Sequence, residues 1–274
     1  MTFTVTALGT GDAFSADRWS SCLLIETSTT RLLIDCPHPI RRVLKSSTKG
    51  RVDVGDIDAV VLTHLHADHA SGVEGFAWFS RFALLRPMTV VASTAVLGGL
   101  WSMLAPSMAE LLIVDDDNRP HHRERLLPAD LFATTTLSLE TPLVIGDVVL
   151  EARATIHHIP TTALLVRHGS ACFGYSADTA FDPGLLQWLD AADVIIHETN
   201  LGAHTPYEKL CALPERLRKK LRLIHWPDGF DADRSVLPTL QDGDVVEVVV
   251  DAGPDGGDGG DAAGGMVAGK GTGS

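Results

Sequence analysis

The segment THLHADH at residues 63–69 restricts the fold and chemistry of this chain more than any other feature of its sequence. The segment begins at the last residue of a continuous apolar run, DAVVLT at residues 58–63, which is typical of a strand buried on both faces. Side chains alternate along an extended chain, so His64 and His66 point the same way. A turn into a helix then directs Asp68 and His69 to another side. Because imidazole and carboxylate groups bind zinc, iron or manganese, the segment predicts two adjacent metal sites.

The composition is that of a folded, acidic, globular protein. Of the 274 residues, 45% are hydrophobic and 21% are charged, which excludes a collagen-like, coiled-coil or wholly disordered chain. The formal net charge of −13 argues against a broad basic surface for nucleic acid or anionic lipid. A bound metal ion could still supply positive charge at a site.

Cysteine usage and the absence of targeting segments predict the compartment. No two cysteines form a C-x-x-C pair, which favours free thiols in a reducing environment. The N-terminal residues lack the basic and apolar regions of a signal peptide. No apolar run reaches the ~18 residues that a membrane span requires. We therefore expect a soluble cytoplasmic protein.

Apolar strand-like runs alternate with helical patterns in both halves, which predicts one layered α/β domain over residues 1–250. Residues 251–274 contain ten glycines and four aspartates, so they are predicted to form a disordered tail. Three local predictions follow from composition and from turn residues. They are a polar surface loop over 115–130, one helix over 205–221 and a last strand over 245–250.

Several short segments together resemble the metallo-β-lactamase superfamily. LGTG at residues 8–11 is similar to the opening of the branch that contains ribonuclease Z and small-molecule phosphodiesterases. YSADT at 175–179 and HET at 197–199 resemble the YSGDT and HEAT segments of that branch. With the histidine-rich motif, the resemblance extends over residues 3–228 in order and spacing. It implies an αββα sandwich with a dinuclear metal site at one edge.

The resemblance also implies a set of metal ligands. It assigns a first ion to His64, His66 and His157, a second ion to Asp68, His69 and His225, and a bridging position to Asp178. His158 is the alternative to His157, because Ala163-Leu164 replaces the Gly-Tyr pair that fixes the spacing in the family. The implied cofactors are two divalent metal ions, with zinc as first choice and iron or manganese as alternatives.

Three residues are candidates for catalysis. The family uses a metal-bridging hydroxide to attack a phosphodiester, and Asp68 would both bind metal and orient this nucleophile. Glu198 and His204 resemble a glutamate and a histidine that assist departure of the leaving oxygen in ribonuclease Z-like enzymes. Five residues separate them, far fewer than in those enzymes, so a histidine that merely lies near a helix start is the alternative for His204. Asp35 is a candidate to support the ligands from behind.

The leading hypothesis is a metal-dependent hydrolase that acts as a phosphodiesterase on a small-molecule or short substrate. Residues 80–150 show no equivalent of the basic arm with which ribonuclease Z grips tRNA, so nucleic acid is not favoured. The alternative is hydrolysis of a lactone, thioester or aryl ester at the same site, since one fold hosts many reactions. A third hypothesis, a binding protein with a degenerate site, conflicts with the intact ligand set. We expect a homodimer, as is common among relatives, and no membrane partner.

Overall fold

The computed structural model describes residues 2–249. Its strands are β1 Phe3–Gly9, β2 Cys22–Glu26, β3 Arg31–Ile34, β4 Ala59–Leu62, β5 Met88–Ala92, β6 Glu110–Val114, β7 Pro120–Arg125, β8 Phe132–Thr136, β9 Leu143–Ile145, β10 Val148–Ala154, β11 Thr162–His168, β12 Ala171–Tyr175, β13 Val194–Glu198, β14 Leu221–Ile224 and β15 Val245–Val248. Its α-helices are α1 Ile40–Ser47, α2 Ala67–Ala70, α3 Val73–Ala83, α4 Thr94–Met108, α5 Pro128–Leu131, α6 Pro183–Leu189, α7 Tyr207–Cys211 and α8 Glu215–Lys220. Short 3-10 helices occur at Val54–Asp56 and Ala232–Arg234.

Two mixed sheets pack face to face. The strand order is β15-β1-β2-β3-β4-β5-β8 in the first sheet and β14-β13-β12-β11-β10-β9 in the second. An apolar layer fills the space between them, with Val5, Ile34 and Val61 from the first sheet against Val166 and Tyr175 from the second. Strand β4 is buried along its whole length because its other face is also covered, as its continuous apolar sequence predicts.

Helices cover the outer face of each sheet. Apolar side chains of α1, α3 and α4 pack on the first sheet, and those of α6, α7 and α8 pack on the second. Helix α1, for example, buries Ile40, Val43 and Leu44, which the helical period places on one face. The layers therefore follow the predicted order of helices, sheet, sheet and helices. No helix within residues 2–249 is long and apolar enough to cross a membrane.

The parallel parts of both sheets end at a common edge. Strands β3, β4, β5 and β8 are parallel to one another, and so are β12, β13 and β14. Asp35, residues 63–69, Asp178 and His225 follow the carboxyl ends of these strands, where ligand sites of parallel sheets form. Asp35, Ala177 and His225 have φ angles of 62°, 48° and 59°. This left-handed conformation costs energy for residues with a side chain and is concentrated at functional sites.

Two local predictions are wrong in part. Residues 115–130 do not form a continuous loop, because β7 pairs antiparallel with β6 in a separate, exposed hairpin and α5 follows it. The helix predicted over 205–221 is divided into α7 and α8, because Pro214 cannot continue a helix. The last strand ends at Val248, and the predicted tail over 251–274 lies outside the described residues. The domain boundary after residue 250 therefore stays a prediction.

Candidate metal centre

The histidine-rich motif lies where the chain turns from β4 into α2. His64 is completely buried just beyond the strand, and His66 stands at the N-terminal boundary of the helix. The helical turn carries Asp68 and His69 away from this extended pair, as the sequence predicts. One segment thus supplies candidate ligands to two neighbouring positions.

Close backbone contact holds this helical turn against the end of β3. The Cys36 N–H donates to the His69 oxygen and the Gly72 N–H donates to the Cys36 oxygen, each over 2.7 Å. A Cβ atom on Gly72 would lie 2.3 Å from the Pro37 oxygen, so no larger residue fits here without a backbone shift. The contact places His69 beside Asp35.

The loop between β10 and β11 brings a further histidine to the motif. The Thr162 N–H donates to the Thr63 oxygen over 3.1 Å, which fixes the end of this loop. Within the loop, Nε2 of His157 lies 3.1 Å from Nδ1 of His66. The adjacent His158 is exposed and lies outside the cluster, so the structure places the first of the two histidines at the site.

Four side chains converge in a group that we call cluster one: His64, His66, His157 and Asp178. Nδ1 of His66 lies 3.2 Å from Nε2 of His64 and 3.1 Å from Nε2 of His157. Oδ2 of Asp178 lies 3.6 Å and 3.7 Å from the same two Nε2 atoms. Ligand atoms at about 2.0–2.1 Å around a tetrahedral zinc ion are about 3.3 Å apart, so these separations suit one ion.

A second group, cluster two, consists of Asp68, His69, Asp178 and His225. Nε2 of His69 lies 3.3 Å from Oδ2 of Asp68 and 3.4 Å from Oδ1 of Asp178. Nε2 of His225 lies 3.5 Å from Oδ2 of Asp178 and 4.0 Å from Oδ2 of Asp68. Asp178 is buried and belongs to both clusters, so its two oxygens can contact two neighbouring ions.

Polar side chains orient two of the buried histidines from behind. Nδ1 of His69 lies 2.8 Å from Oδ2 of Asp35. The Thr63 hydroxyl donates to Asp35 over 2.8 Å and lies 2.9 Å from Nδ1 of His64. Each contact occupies Nδ1 and leaves Nε2 towards the cluster, which is the arrangement of metal-binding histidines. Asp35 therefore lies where the sequence analysis expects a supporting carboxylate.

The loop between β1 and β2 orients the third such histidine. The Ser21 hydroxyl lies 3.1 Å from Nδ1 of His225, and the His225 N–H donates to the Thr10 oxygen over 2.8 Å. The sequence analysis missed Ser21, because no local pattern distinguishes this serine from its neighbours. It also missed the role of the Thr63 hydroxyl, although its position directly before His64 is a signal.

Burial keeps several of these histidines neutral, the state in which imidazole binds a metal. It lowers the pKa of His64 to about 2 and that of His157 to about 4, and it lowers the pKa of His225. His69 behaves differently. Burial acts to lower its pKa, but the carboxylate of Asp178 and a second carboxylate behind the ring raise it well above its usual value. The surroundings of His69 therefore favour positive charge at cluster two.

Two buried atoms lack the partners that a metal ion would provide. Nε2 of His69 and Oδ1 of Asp178 have no hydrogen-bond partner among the described residues. A buried polar atom without a partner costs free energy, and a divalent ion in cluster two would satisfy both atoms. The imidazole and carboxylate donors of the two clusters therefore fit divalent metal ions.

A buried glutamate and a partly exposed histidine form an acid–base pair beside both clusters. Oε1 of Glu198 accepts the Thr179 N–H over 2.7 Å and lies 3.0 Å from Nδ1 of His204. Burial raises the pKa of Glu198 to about 7. The ring centre of His204 lies 5.3 Å from that of His157 and 5.4 Å from that of His225. The structure thus brings together every residue of the predicted site, while their roles as ligands and catalysts stay predictions.

Comparison with known proteins identifies related sequences along nearly the whole described chain. The sequence profile of the anti-Pycsar protein Apyc1 family matches residues 3–243. The anti-Pycsar protein Apyc1 of Paenibacillus harenae is 31% identical over 231 residues, which cover 82% of this chain and 90% of that protein. The cGMP-dependent 3′,5′-cGMP phosphodiesterase A of Dictyostelium discoideum is 24% identical over 245 residues, which cover 82% of this chain and 26% of that longer protein.

Solved structures share the fold. The metallo-β-lactamase fold protein YhfI from Bacillus subtilis has a TM-score of 0.72 and 19% identity, and the match covers 90% of this chain and all of that one. The short form of human tRNase Z has a TM-score of 0.65 and 22% identity with the same coverage. The predicted metallo-β-lactamase-like α/β fold is confirmed.

Proposed function

We propose that this chain, which belongs to the anti-Pycsar protein Apyc1 family, hydrolyses the phosphodiester of a cyclic nucleotide. The broader expectation of a metal-dependent hydrolase is confirmed by its relatives and fold. The choice of a cyclic nucleotide is supported by the relative that is named as a 3′,5′-cGMP phosphodiesterase. The observation that carries the proposal is the pair of clusters that share Asp178, with Glu198 and His204 beside them.

In this proposal each cluster holds one divalent ion. When bound, the two ions supply an activated water and offset the negative charge of the phosphoryl oxygens. Asp178 fixes the spacing between the two positions. Burial acts to raise the pKa of Asp68, but its contact with His69 lowers the pKa to about 2. Asp68 therefore stays ionised and can accept a hydrogen bond from a water while it binds metal. Zinc is our first choice of ion, with iron and manganese as alternatives.

The Glu198–His204 pair is proposed to protonate the leaving oxygen. An alkoxide is a poor leaving group, so a positioned acid accelerates its departure. Burial acts to lower the pKa of His204, but the hydrogen bond to Glu198 raises it overall. The His204 side chain is 19% exposed, whereas that of Glu198 is completely buried. His204 can therefore contact the substrate, and Glu198 acts through it as a positioning residue.

The exposed hairpin argues against long RNA as substrate. It lies in the region where the sequence analysis found no tRNA-gripping arm, and its strand β7 is exposed along its whole length. Residues 110–125 contain five carboxylates and three arginines. Phosphate contacts dominate nucleic-acid affinity, and a hairpin with more carboxylates than arginines is a poor surface for them. A small cyclic phosphodiester therefore suits this surface better than tRNA.

The proposal is tested with the full chain purified without chelator. We expect two ions per chain by mass spectrometry, and turnover of 3′,5′-cGMP and bis-p-nitrophenyl phosphate. Asp68→Ala should abolish this turnover, and Asp116→Ala, which removes an exposed carboxylate of the hairpin, should not. Turnover of aryl esters or lactones without any phosphodiester turnover would replace our substrate class with the alternative. A chain that binds no metal under these conditions would overturn the proposed site.

The expected homodimer is a separate proposal, and light scattering of the full chain tests it.

A further inference from the structure

The loop between β1 and β2 is fixed in place, yet its tip is an exposed aromatic ring. The Ser15 hydroxyl and the Ala16 N–H both donate to the carboxylate of Asp228. Arg18 donates to the same carboxylate over 2.8 Å. Phe14, between these anchors and the metal-site end of the loop, is 91% exposed. These bonds fix the chain directly after Phe14, whose ring is exposed to solvent.

Both ends of this loop contact a candidate metal ligand. The Thr10 oxygen accepts the backbone N–H of His225, and the Ser21 hydroxyl lies 3.1 Å from its Nδ1. The loop therefore begins and ends at cluster two. Phe14 therefore lies four residues along the chain from a contact with a member of cluster two.

A second loop, residues 199–205, adjoins the first and carries the proposed acid. The Asn200 side-chain N–H donates to Oδ2 of Asp12 over 3.0 Å, which connects the two loops. The next residue, Leu201, is 77% exposed. His204 follows on the same loop and faces both clusters. Two exposed apolar side chains thus lie on connected loops that border one site.

The charges of these loops restrict what the apolar pair can bind. Arg18 is the sole arginine or lysine within residues 11–18 and 199–205. It is already bound to Asp228, and its guanidinium carbon lies 3.6 Å from the ring centre of Trp226. Apart from His204, which is the proposed acid, these loop residues therefore offer no free cation to a second phosphate. A flat, uncharged ring that covers Phe14 suits them, because ring stacking gains contact area at little entropic cost on a rigid loop.

We propose that Phe14 and Leu201 form the contact surface for the nucleobase of a substrate whose phosphodiester lies at the metal centre. The inference rests on the proposed function and adds its specificity-determining residues. It predicts that the enzyme binds a cyclic nucleotide by two parts, the phosphodiester at the clusters and the base at the apolar pair. Stacking is tolerant of base identity, so recognition should depend more on the presence of a ring than on its edge groups.

The test compares two substrates that differ in the base. One is 3′,5′-cGMP, and the other is the methyl riboside 3′,5′-cyclic phosphate, in which a methoxy group replaces the base. Phe14→Ala should lower the ratio of kcat/KM for 3′,5′-cGMP to kcat/KM for the methyl riboside about tenfold. A loss of this size lies within the range of base–aromatic stacking. The loss should arise in KM, because the contact exists equally in ground and transition states. Phe14→Trp should restore the ratio, and Val144→Ala, an exposed apolar residue on edge strand β9, should not change it.

A parallel binding measurement separates this inference from the proposed function. Calorimetry of GMP and ribose 5-phosphate with the metal-loaded full chain requires no phosphodiester turnover. Phe14→Ala should weaken the binding of GMP about tenfold and change the binding of ribose 5-phosphate little. The two ligands should then bind the variant with similar affinity. Equal effects on both ligands, or none, would overturn the base contact even if the enzyme is active. Dissociation of an oligomer by Phe14→Ala, seen by light scattering, would instead identify Phe14 as an interface residue. A chain without phosphodiester turnover that still shows the GMP effect would refute the proposed reaction and support the base surface.

Discussion

Clusters one and two have similar ligands but are supported to different degrees. In cluster two, His69 and His225 each contact a polar side chain from behind, namely Asp35 and Ser21. In cluster one only His64 has such a contact, and Nδ1 of His157 has no hydrogen-bond partner among the described residues. As whole residues, His66 and His157 in cluster one and Asp68 in cluster two are partly exposed, but the His157 side chain is only 1% exposed and that of Asp68 is 9% exposed.

The two clusters therefore differ in how many of their candidate ligands are oriented by neighbouring side chains. Supporting side chains need space behind a ligand, and the strand ends of the two sheets provide that space for the buried histidines. We therefore expect cluster two to depend on its neighbours in the protein, and cluster one to depend mainly on its own ligands.

Removal of the carboxylate that both clusters share should have the largest effect, because it changes both clusters at once. Asp178→Ala takes one ligand from each cluster, so we expect both ions to be lost and turnover of 3′,5′-cGMP to fall by about 10³-fold or more, the scale for loss of a principal electrostatic stabiliser. Mass spectrometry of the bound metal and steady-state kinetics check this. Asp53→Ala, an exposed carboxylate paired with Arg41, is the matched control. Two retained ions in Asp178→Ala would show that the clusters are independent.

Substitution of the proposed acid, His204, should lower the reaction rate without changing ion binding in either cluster. His204→Ala should retain both ions but lower kcat for 3′,5′-cGMP about 100-fold, the usual scale of general acid catalysis. Turnover of bis-p-nitrophenyl phosphate should suffer much less, because p-nitrophenolate leaves without a proton. An equal loss on both substrates would exclude His204 as the proton donor.

The same pair sets the pH dependence of the rate. The hydrogen bond to Glu198 raises the pKa of His204, so the proton required for the leaving oxygen is lost as the pH rises through that raised value. The rate should therefore fall on the alkaline side. Glu198→Gln removes the negative charge that raises this pKa, so the alkaline limb should move to lower pH. A pH–kcat profile with 3′,5′-cGMP measures this shift, and an unchanged limb would assign the titration to another group.

Loss of the carboxylate behind His69 should sharpen the difference between the clusters. We expect Asp35→Asn to weaken ion binding at cluster two about 10- to 100-fold, as changes to such supporting groups do. In a titration with chelator, one of the two ion-release steps should move to lower chelator concentration. Asp58→Asn, at an exposed position before β4, serves as control. A parallel shift of both steps would mean that Thr63 transmits the change to cluster one.

The smallest effect is expected from the serine behind His225. Ser21→Ala removes one neutral contact, and a net hydrogen bond of about 0.5–1.5 kcal/mol corresponds to roughly two- to tenfold weaker binding at cluster two. The chelator titration measures it again, with Ser20→Ala as the control at the adjacent position. No change in the release step would show that the Thr10 contact alone orients His225.

Local sequence patterns were sufficient for the apolar strands and for the histidine-rich motif, whereas the rest of the candidate ligand set came from the resemblance to a known family. Strand β4 lies within the apolar run DAVVLT that predicts it, because apolar and β-branched content are properties of a few adjacent residues. The predicted loop over 115–130 was wrong in part. The polar strand β7 carries no apolar signal and forms by pairing with β6.

The sequence was enough to predict the candidate metal-binding segment and the layered α/β fold. It offered His157 with His158 as the alternative, and only the tertiary structure shows that His157 is the one that lies in the cluster, because the side chain that meets His66 depends on the path of a loop fixed by Thr162. The tertiary structure alone also assigned Ser21, which contacts a residue 204 positions away. Periodicity and spacing act over short stretches of chain, whereas contacts across the two sheets depend on packing that no local pattern encodes.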